Sequence, residues 1–300
     1  MNELPVLFAL FLLGIVAQFA GFLPKDLFRK INRFIIYVPL PAIVLAKIPH
    51  LQLSAEVMYP IASAWIIFFG AAIYGWLVGK WLNWDNKTIA CIILCCGLGN
   101  TSFVGYPVLT YFYGAESIQY AIFVDQPGSF LIMSTLGILI AASFGGTDYS
   151  VKQLILRLVK FPPFLIFIVA LFIPKEMVEG NTLKGLNMIG QFMVPLAMIS
   201  LGMQFKWNIS EVPWRDFLAG SLYKLILAPF IIYILFYLIL DRRTELYSVS
   251  IIECAMPPMI TSSILATEYG LNEKLANALP TLGILLSVPS LLFWRWWLSA

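Results

Sequence analysis

Residues 95–107, CCGLGNTSFVGYP, interrupt a long apolar stretch with three glycines, three small polar side chains and a proline. A regular helix is unfavourable there, because proline removes a backbone donor and glycine tolerates unwound geometry. Residues 256–263, MPPMITSS, form a second interruption, with two adjacent prolines followed by hydroxyl side chains. The sequence therefore predicts two broken helices, with discontinuities near Gly105 to Pro107 and at Pro257 and Pro258.

The surrounding composition indicates a protein whose main solvent is the lipid bilayer. Of the 300 residues 60% are apolar and 12% charged, and the mean hydropathy is +0.87, outside the range of water-soluble domains. Apolar stretches of about 18 to 25 residues have the length needed to cross a hydrocarbon layer as helix. We predict an all-α polytopic membrane protein with ten transmembrane helices, at residues 4–23, 31–48, 57–79, 89–113, 118–144, 161–173, 186–203, 217–240, 247–269 and 275–297.

A repeat with a shift of 156 residues divides the ten spans into two halves. The tripeptide Val38-Pro39-Leu40 recurs as residues 194–196, and Tyr113-Gly114 recurs as residues 269–270. We predict a first five-helix repeat in residues 1–150 and a second in residues 151–300. Because five is odd, the second repeat enters the membrane from the opposite side, and inverted repeats of this kind are typical of carriers that work by alternating access.

The distribution of charge predicts the orientation and excludes several functions. With the N-terminus outside, twelve Lys and Arg residues fall on the inner side and six on the outer; the bias favours a multi-pass protein of the bacterial inner membrane with both termini outside. The sequence has no basic run with interleaved aromatic residues, which excludes a nucleic-acid partner. It also shows no metal-ligand cluster, catalytic triad or phosphate-binding loop, so we predict neither enzymatic activity nor a bound cofactor.

The two breaks are the candidate substrate site. Unwound backbone is costly in hydrocarbon, so it must face protein or a water-filled cavity. A helix that restarts after a break directs the N–H groups of its first turn toward the centre, and these groups favour anions. The alternative is that both interruptions are ordinary proline kinks, in which Ser and Thr side chains hydrogen-bond the freed backbone groups. The predicted substrate-binding residues are Asn100, Thr101, Ser102, Gly105, Pro107, Pro257, Pro258, Thr261 and Ser262. Asn100 is expected to donate its amide to a carboxylate.

Ionisable residues inside the spans are few, and each is costly unless it has a function. Asp125 lies beside Gln126 in the fifth span, Lys224 lies in the eighth, and Glu253 precedes the second break. We predict that Asp125, Gln126, Lys224 and Glu253 couple transport to a proton or to sodium. Structural pairing of Lys224 with a carboxylate is the alternative.

The ten spans, the motif from Asn100 to Pro107 and the Asp125-Gln126 pair resemble the auxin efflux carrier family over essentially the whole chain. The resemblance implies the crossed-helix fold shared with bile acid sodium symporters, with a scaffold and a moving unit that contains spans four and nine. It also implies carboxylate substrates, such as malate, malonate or auxin-like acids. This chain lacks the large central loop of the plant form, and no asparagine in its second break matches Asn100.

The sequence thus predicts a secondary active transporter of small organic anions, with its site where helices four and nine cross. Its partners would be the substrate anion and the lipid bilayer, and a homodimer is compatible with them. A membrane receptor that binds a small carboxylate without moving it is the alternative, since it would use the same cavity.

Overall fold

The computed structural model describes residues 3–20, 24, 26–51, 54–146, 160–205 and 211–299. This part of the chain is helical, and its only β-type pairing is one isolated bridge. The helices of the first half are α1 Glu3–Phe19, α2 Leu27–Tyr37, α3 Pro39–Lys47, α4 Met58–Leu82, α5 Asn86–Gly97, α6 Tyr106–Tyr113 and α7 Ala115–Gly145. Those of the second half are α8 Pro162–Ala170, α9 Gly180–Gly190, α10 Met193–Gln204, α11 Trp214–Ile239, α12 Glu245–Cys254, α13 Ile260–Glu268 and α14 Glu273–Ser299.

Six stretches of the described residues are long and apolar enough to cross a membrane: Leu27–His50, Ala55–Leu82, Ala115–Gly145, Gly180–Gln204, Trp214–Ile239 and Glu273–Ser299. They confirm the predicted all-α class with several membrane-spanning helices. The count of ten spans stays a prediction. The predicted fourth and ninth spans are each divided into two shorter helices, α5 with α6 and α12 with α13, so neither is a single long helix.

The helix boundaries follow the same shift of 156 residues that relates the short sequence identities. Helix α4, displaced by that number, covers nearly the same residues as α11. The residues that follow α6 and α13 also correspond, because Gly114 and Gly270 both have positive φ angles, of 87° and 66°. An inverted relation between the halves remains a prediction, as does the division into repeats at residue 150.

The helices pack in two groups. Helices α1, α2 and α3 contact α8, α9 and α10, while α4 to α7 contact α11 to α14. In the first group α1 and α10 approach closely at Gly14 and Gly202, where a Cβ atom on either glycine would overlap the backbone of the other helix. The second group holds both helix breaks and the buried ionisable side chains.

Candidate functional site

The two breaks meet and satisfy each other's backbone groups. Helix α5 ends at Gly97 and the helical path resumes at Thr101, while α12 ends at Cys254 and α13 begins at Ile260. The Asn100 N–H donates to the Pro257 carbonyl at 2.8 Å, and the Met259 N–H donates to the Leu98 carbonyl at 3.1 Å. These bonds form a short antiparallel bridge between Gly99 and Pro258. We call residues 98–100 and 255–259 the crossing.

The crossing corrects the predicted position of the first break. The sequence predicts it near Gly105 to Pro107, but the chain is unwound at residues 98–100 and is helical again from Thr101. The Asn100 carbonyl accepts from the Val104 and Gly105 N–H groups at 3.3 and 3.0 Å, which forms a widened π turn. That turn accommodates Pro107 without a further break. The second break lies at Pro257 and Pro258, as predicted.

Two glycines allow charged side chains to approach the backbone of the fourth span. A Cβ atom on Gly99 would lie 3.0 Å from Lys224 Nζ and 3.3 Å from the Glu253 carbonyl oxygen. A Cβ atom on Gly105 would lie 2.6 and 2.7 Å from the two carboxyl oxygens of Glu253. Any larger residue at either position would displace the neighbouring ionisable group. The crossing therefore combines broken backbone with one basic and one acidic side chain.

Lys224 is fully buried in α11. Its Nζ atom donates to the Cys254 carbonyl at 3.0 Å, at the C-terminal end of α12, where a cation also faces the negative end of the helix dipole. The described partner of Lys224 is thus a backbone carbonyl and not a carboxylate. Its charge is therefore stabilised by the dipole of a neutral carbonyl group.

Glu253 is the least satisfied group of the site. It is fully buried, and in the described part of the chain neither of its carboxyl oxygens has a hydrogen-bond partner. Lys224 and Asp125 both lie near enough to influence it electrostatically. A buried carboxylate without partners is costly, so ionisation of Glu253 in this conformation carries a large desolvation cost.

Asp125 accepts three hydrogen bonds beside the crossing. Thr101 Oγ1 donates to it at 2.5 Å, Gln126 Nε2 at 2.6 Å and the Tyr106 hydroxyl at 3.2 Å. Thr101 and Tyr106 are five residues apart, so the π turn between them brings both onto one face. Sequence reasoning missed Tyr106, because a tyrosine in an apolar helix resembles a packing residue. Only the π turn gives it this role.

Of the remaining predicted residues, Asn100 belongs to the crossing, and Ser102, Thr261 and Ser262 lie on the helices that follow the breaks. Asn100 is 4% exposed, its backbone groups are paired, and no side-chain partner is seen for it among the described residues. Ser102 is partly buried near the Asp125 carboxyl group. Ser262 donates to the carbonyl of Met259, the residue before α13, at 2.7 Å, whereas Thr261 is exposed on α13.

In this conformation the crossing is closed to solvent, because Asn100 is nearly and Lys224 and Glu253 are fully buried. One cavity of about 410 Å³ lies between the ends of several helices and is lined by His50, Glu56, Tyr120, Thr244 and their neighbours. Another, of about 420 Å³, lies between α2 and α10. Neither borders the crossing, so the candidate site rests on the broken helices and buried charges.

Comparisons with known proteins agree over the full length of the chain. The family profile described as "Membrane transport protein" matches residues 1–295. An uncharacterized transporter of Methanocaldococcus jannaschii is 27% identical over 306 residues, which cover 99% of this chain and 98% of the relative. An uncharacterized transporter of Methanothermobacter thermautotrophicus is 27% identical over 290 residues, which cover 95% of this chain and 94% of the relative.

Proposed function

Because this chain belongs to the membrane transport protein family, the auxin efflux carrier family that its sequence resembles, we propose that it is a secondary active transporter of small organic anions. The substrates would be carboxylates, such as malate or malonate. They would bind at the crossing and move by alternating access across the cell membrane. The orientation with both termini outside belongs to the same proposal.

One observation carries this proposal: the buried ammonium group of Lys224 lies at the crossing and donates to the Cys254 carbonyl. A carboxylate is a stronger acceptor than a carbonyl for a charged donor. An entering organic anion can therefore replace Cys254 as the partner of Lys224. The side-chain amide of Asn100, for which no partner is seen among the described residues, and the N–H groups at the start of α13 supply further donors for a carboxylate.

The acidic groups of the site support coupling to a cation. An organic anion that enters next to an ionised Glu253 would be repelled, and Asp125 would add to the repulsion. A proton on Glu253 removes the repulsion, so that the anion and the proton cross the membrane together. Sodium beside the same carboxyl oxygens is the alternative coupling ion.

The arrangement of the two breaks supports alternating access. Each break belongs to a different half of the chain, and the halves share a shift of 156 residues. A carrier of this kind opens to either side when its halves exchange conformations around a fixed site. The closed crossing would then be an intermediate between the inward-open and outward-open states.

Counterflow in proteoliposomes tests this function. Purified protein is reconstituted with unlabelled malate inside, and uptake of labelled malate is measured against a panel of carboxylates and of neutral analogues. We expect saturable uptake that carboxylates inhibit and neutral analogues do not. Saturable binding without counterflow would contradict transport and indicate a receptor.

A further inference from the structure

Helix α2 carries a cationic face at one end of the first helix group. Its sequence, LFRKINRFIIY, contains three cations and no acidic residue. Arg29, Lys30 and Arg33 are exposed, while Ile35 on the opposite face is buried. The described ion-pair partner of Lys30 is Asp26, at a distance of 3.9 Å between two exposed side chains, and such pairs are weak. The three cations are therefore available to an external anion.

An apolar groove begins at this cationic face. The cavity of about 420 Å³ is lined by Lys30, Ile31 and Phe34 on one side and by Phe192 and Leu196 on the other. Phe34 is 46% and Phe192 53% exposed, so both rings lie open to the surroundings. Lys30 is the only charged residue that lines the groove in the described part of the chain.

The groove runs from near the end of the apolar stretch Gly180–Gln204 toward the middle of that stretch. Ser200 hydrogen-bonds Asn32 and the Phe28 carbonyl, so the first turns of α2 lie level with Ser200, one turn from the end of α10 at Gln204. Phe192 precedes Ser200 by about two helical turns. The cations thus lie at the membrane-edge end of the groove and the aromatic rings lie deeper.

We propose that this groove binds an acidic phospholipid. The phosphate of the headgroup contacts Lys30 and Arg33, with Arg29 beside them, and one acyl chain lies between Phe34, Phe192 and Leu196. The charge of the face and the apolar depth of the groove match the two ends of such a lipid. A second copy of the chain is the alternative occupant, and the disulfide experiment below distinguishes it from a lipid. The lipid site is separate from the crossing.

Lipid retention tests the charged end. The full-length protein is placed in nanodiscs made of equal parts phosphatidylcholine and phosphatidylglycerol, and co-purified lipids are counted by native mass spectrometry. We expect retained phosphatidylglycerol in the wild-type protein and a loss of about tenfold or more in the combined Arg29→Gln, Lys30→Gln and Arg33→Gln variant. The matched control removes three other exposed charges, through Lys80→Gln, Lys87→Gln and Lys274→Gln, and should retain the lipid. Equal retention by both variants, equal loss in both, or no preference for phosphatidylglycerol in the wild-type protein would overturn the proposal.

Filling the groove tests the apolar end with all charges in place. Leu196→Trp should displace the lipid, whereas Leu13→Trp, on the exposed face of α1, should not; a Leu196→Trp protein that keeps its lipid would refute the site.

The same face is also tested for a second copy. Because the four native cysteines are buried, Phe34→Cys gives a single accessible thiol. Efficient disulfide formation between copies in the membrane would assign the groove to a dimer instead.

Discussion

The Nζ atom of Lys224 lies 3.0 Å from the carbonyl oxygen of Cys254, the last residue of α12. Helix α11 thereby places a buried cation at the C-terminal end of α12, where the second break begins. The cation lies close enough to Gly99 that a methyl group there would contact it. The charge and both breaks form one unit.

The charge of Lys224 should determine affinity for the anion. Lys224→Gln keeps a donor for the Cys254 carbonyl but removes the cation, and we expect malate binding to weaken by about 1.5 to 3 kcal/mol, as for a lost hydrogen bond to a charged group. Isothermal titration calorimetry measures this change. Lys175→Gln, which removes an exposed charge, should bind as the wild type does. Unchanged affinity in Lys224→Gln would remove the cation from the site.

The Asn100 side chain should affect binding and not folding. Since no partner is described for it in the closed conformation, Asn100→Ala should leave thermal stability without ligand nearly unchanged and weaken substrate binding by about 1 to 3 kcal/mol. Asn272 is the matched control, because its side chain bonds Thr88 Oγ1 at 2.9 Å and the Leu275 N–H at 3.1 Å. Asn272→Ala should lower stability by about 1 kcal/mol with normal affinity. Loss of stability in Asn100→Ala in proportion to binding would mean that Asn100 is structural.

Glu253 should couple anion movement to a cation gradient. In Glu253→Gln the carboxyl group is replaced by a neutral amide of similar shape, so we expect counterflow exchange to persist while the response to an imposed pH gradient disappears. Asp125→Asn tests the neighbouring carboxyl group, and a sodium gradient at constant pH distinguishes the two ions. If the Asp125→Asn, Lys224→Ala and Glu253→Gln proteins all keep wild-type flux with the same dependence on pH and sodium, the coupling proposal is wrong.

The contact between α1 and α10 should be sensitive to a single methyl group. Gly14→Ala places a Cβ atom against the backbone of Ile199, and overpacking of this kind costs about 1 to 3 kcal/mol. Thermal unfolding in detergent should show a lower midpoint. Gly185→Ala, where a Cβ atom would meet no atom within 4 Å, should be neutral or slightly stabilising. A Gly14→Ala protein as stable as the Gly185→Ala control would show that the helices separate at little cost.

Sequence reasoning located the second break because adjacent prolines at Pro257 and Pro258 cannot continue a helix. It misplaced the first, because glycine only permits unwinding. What unwinds residues 98–100 is the partner backbone, which offers the Pro257 carbonyl and the Met259 N–H. That partner lies more than 150 residues away and leaves no local signal.

The contacts of the ionisable residues were less predictable than their identities. Asp125, Lys224 and Glu253 were recognisable because charge is rare in apolar spans. The partner of Lys224 is a main-chain carbonyl, which every residue possesses, so no sequence pattern marks it. The bond from Tyr106 to Asp125 depends on a π turn, and a helix of regular pitch would direct the two donors to different faces.

The bonds that join the two breaks, from Asn100 to Pro257 and from Met259 to Leu98, use only main-chain atoms. Any residue except proline can supply the N–H group at positions 100 and 259, and every residue can supply the carbonyl at positions 98 and 257. The hydrogen bonds themselves therefore do not depend on which side chains stand at these four positions. A substitution that keeps these main-chain atoms in place would therefore leave the hydrogen bonds between the two breaks intact.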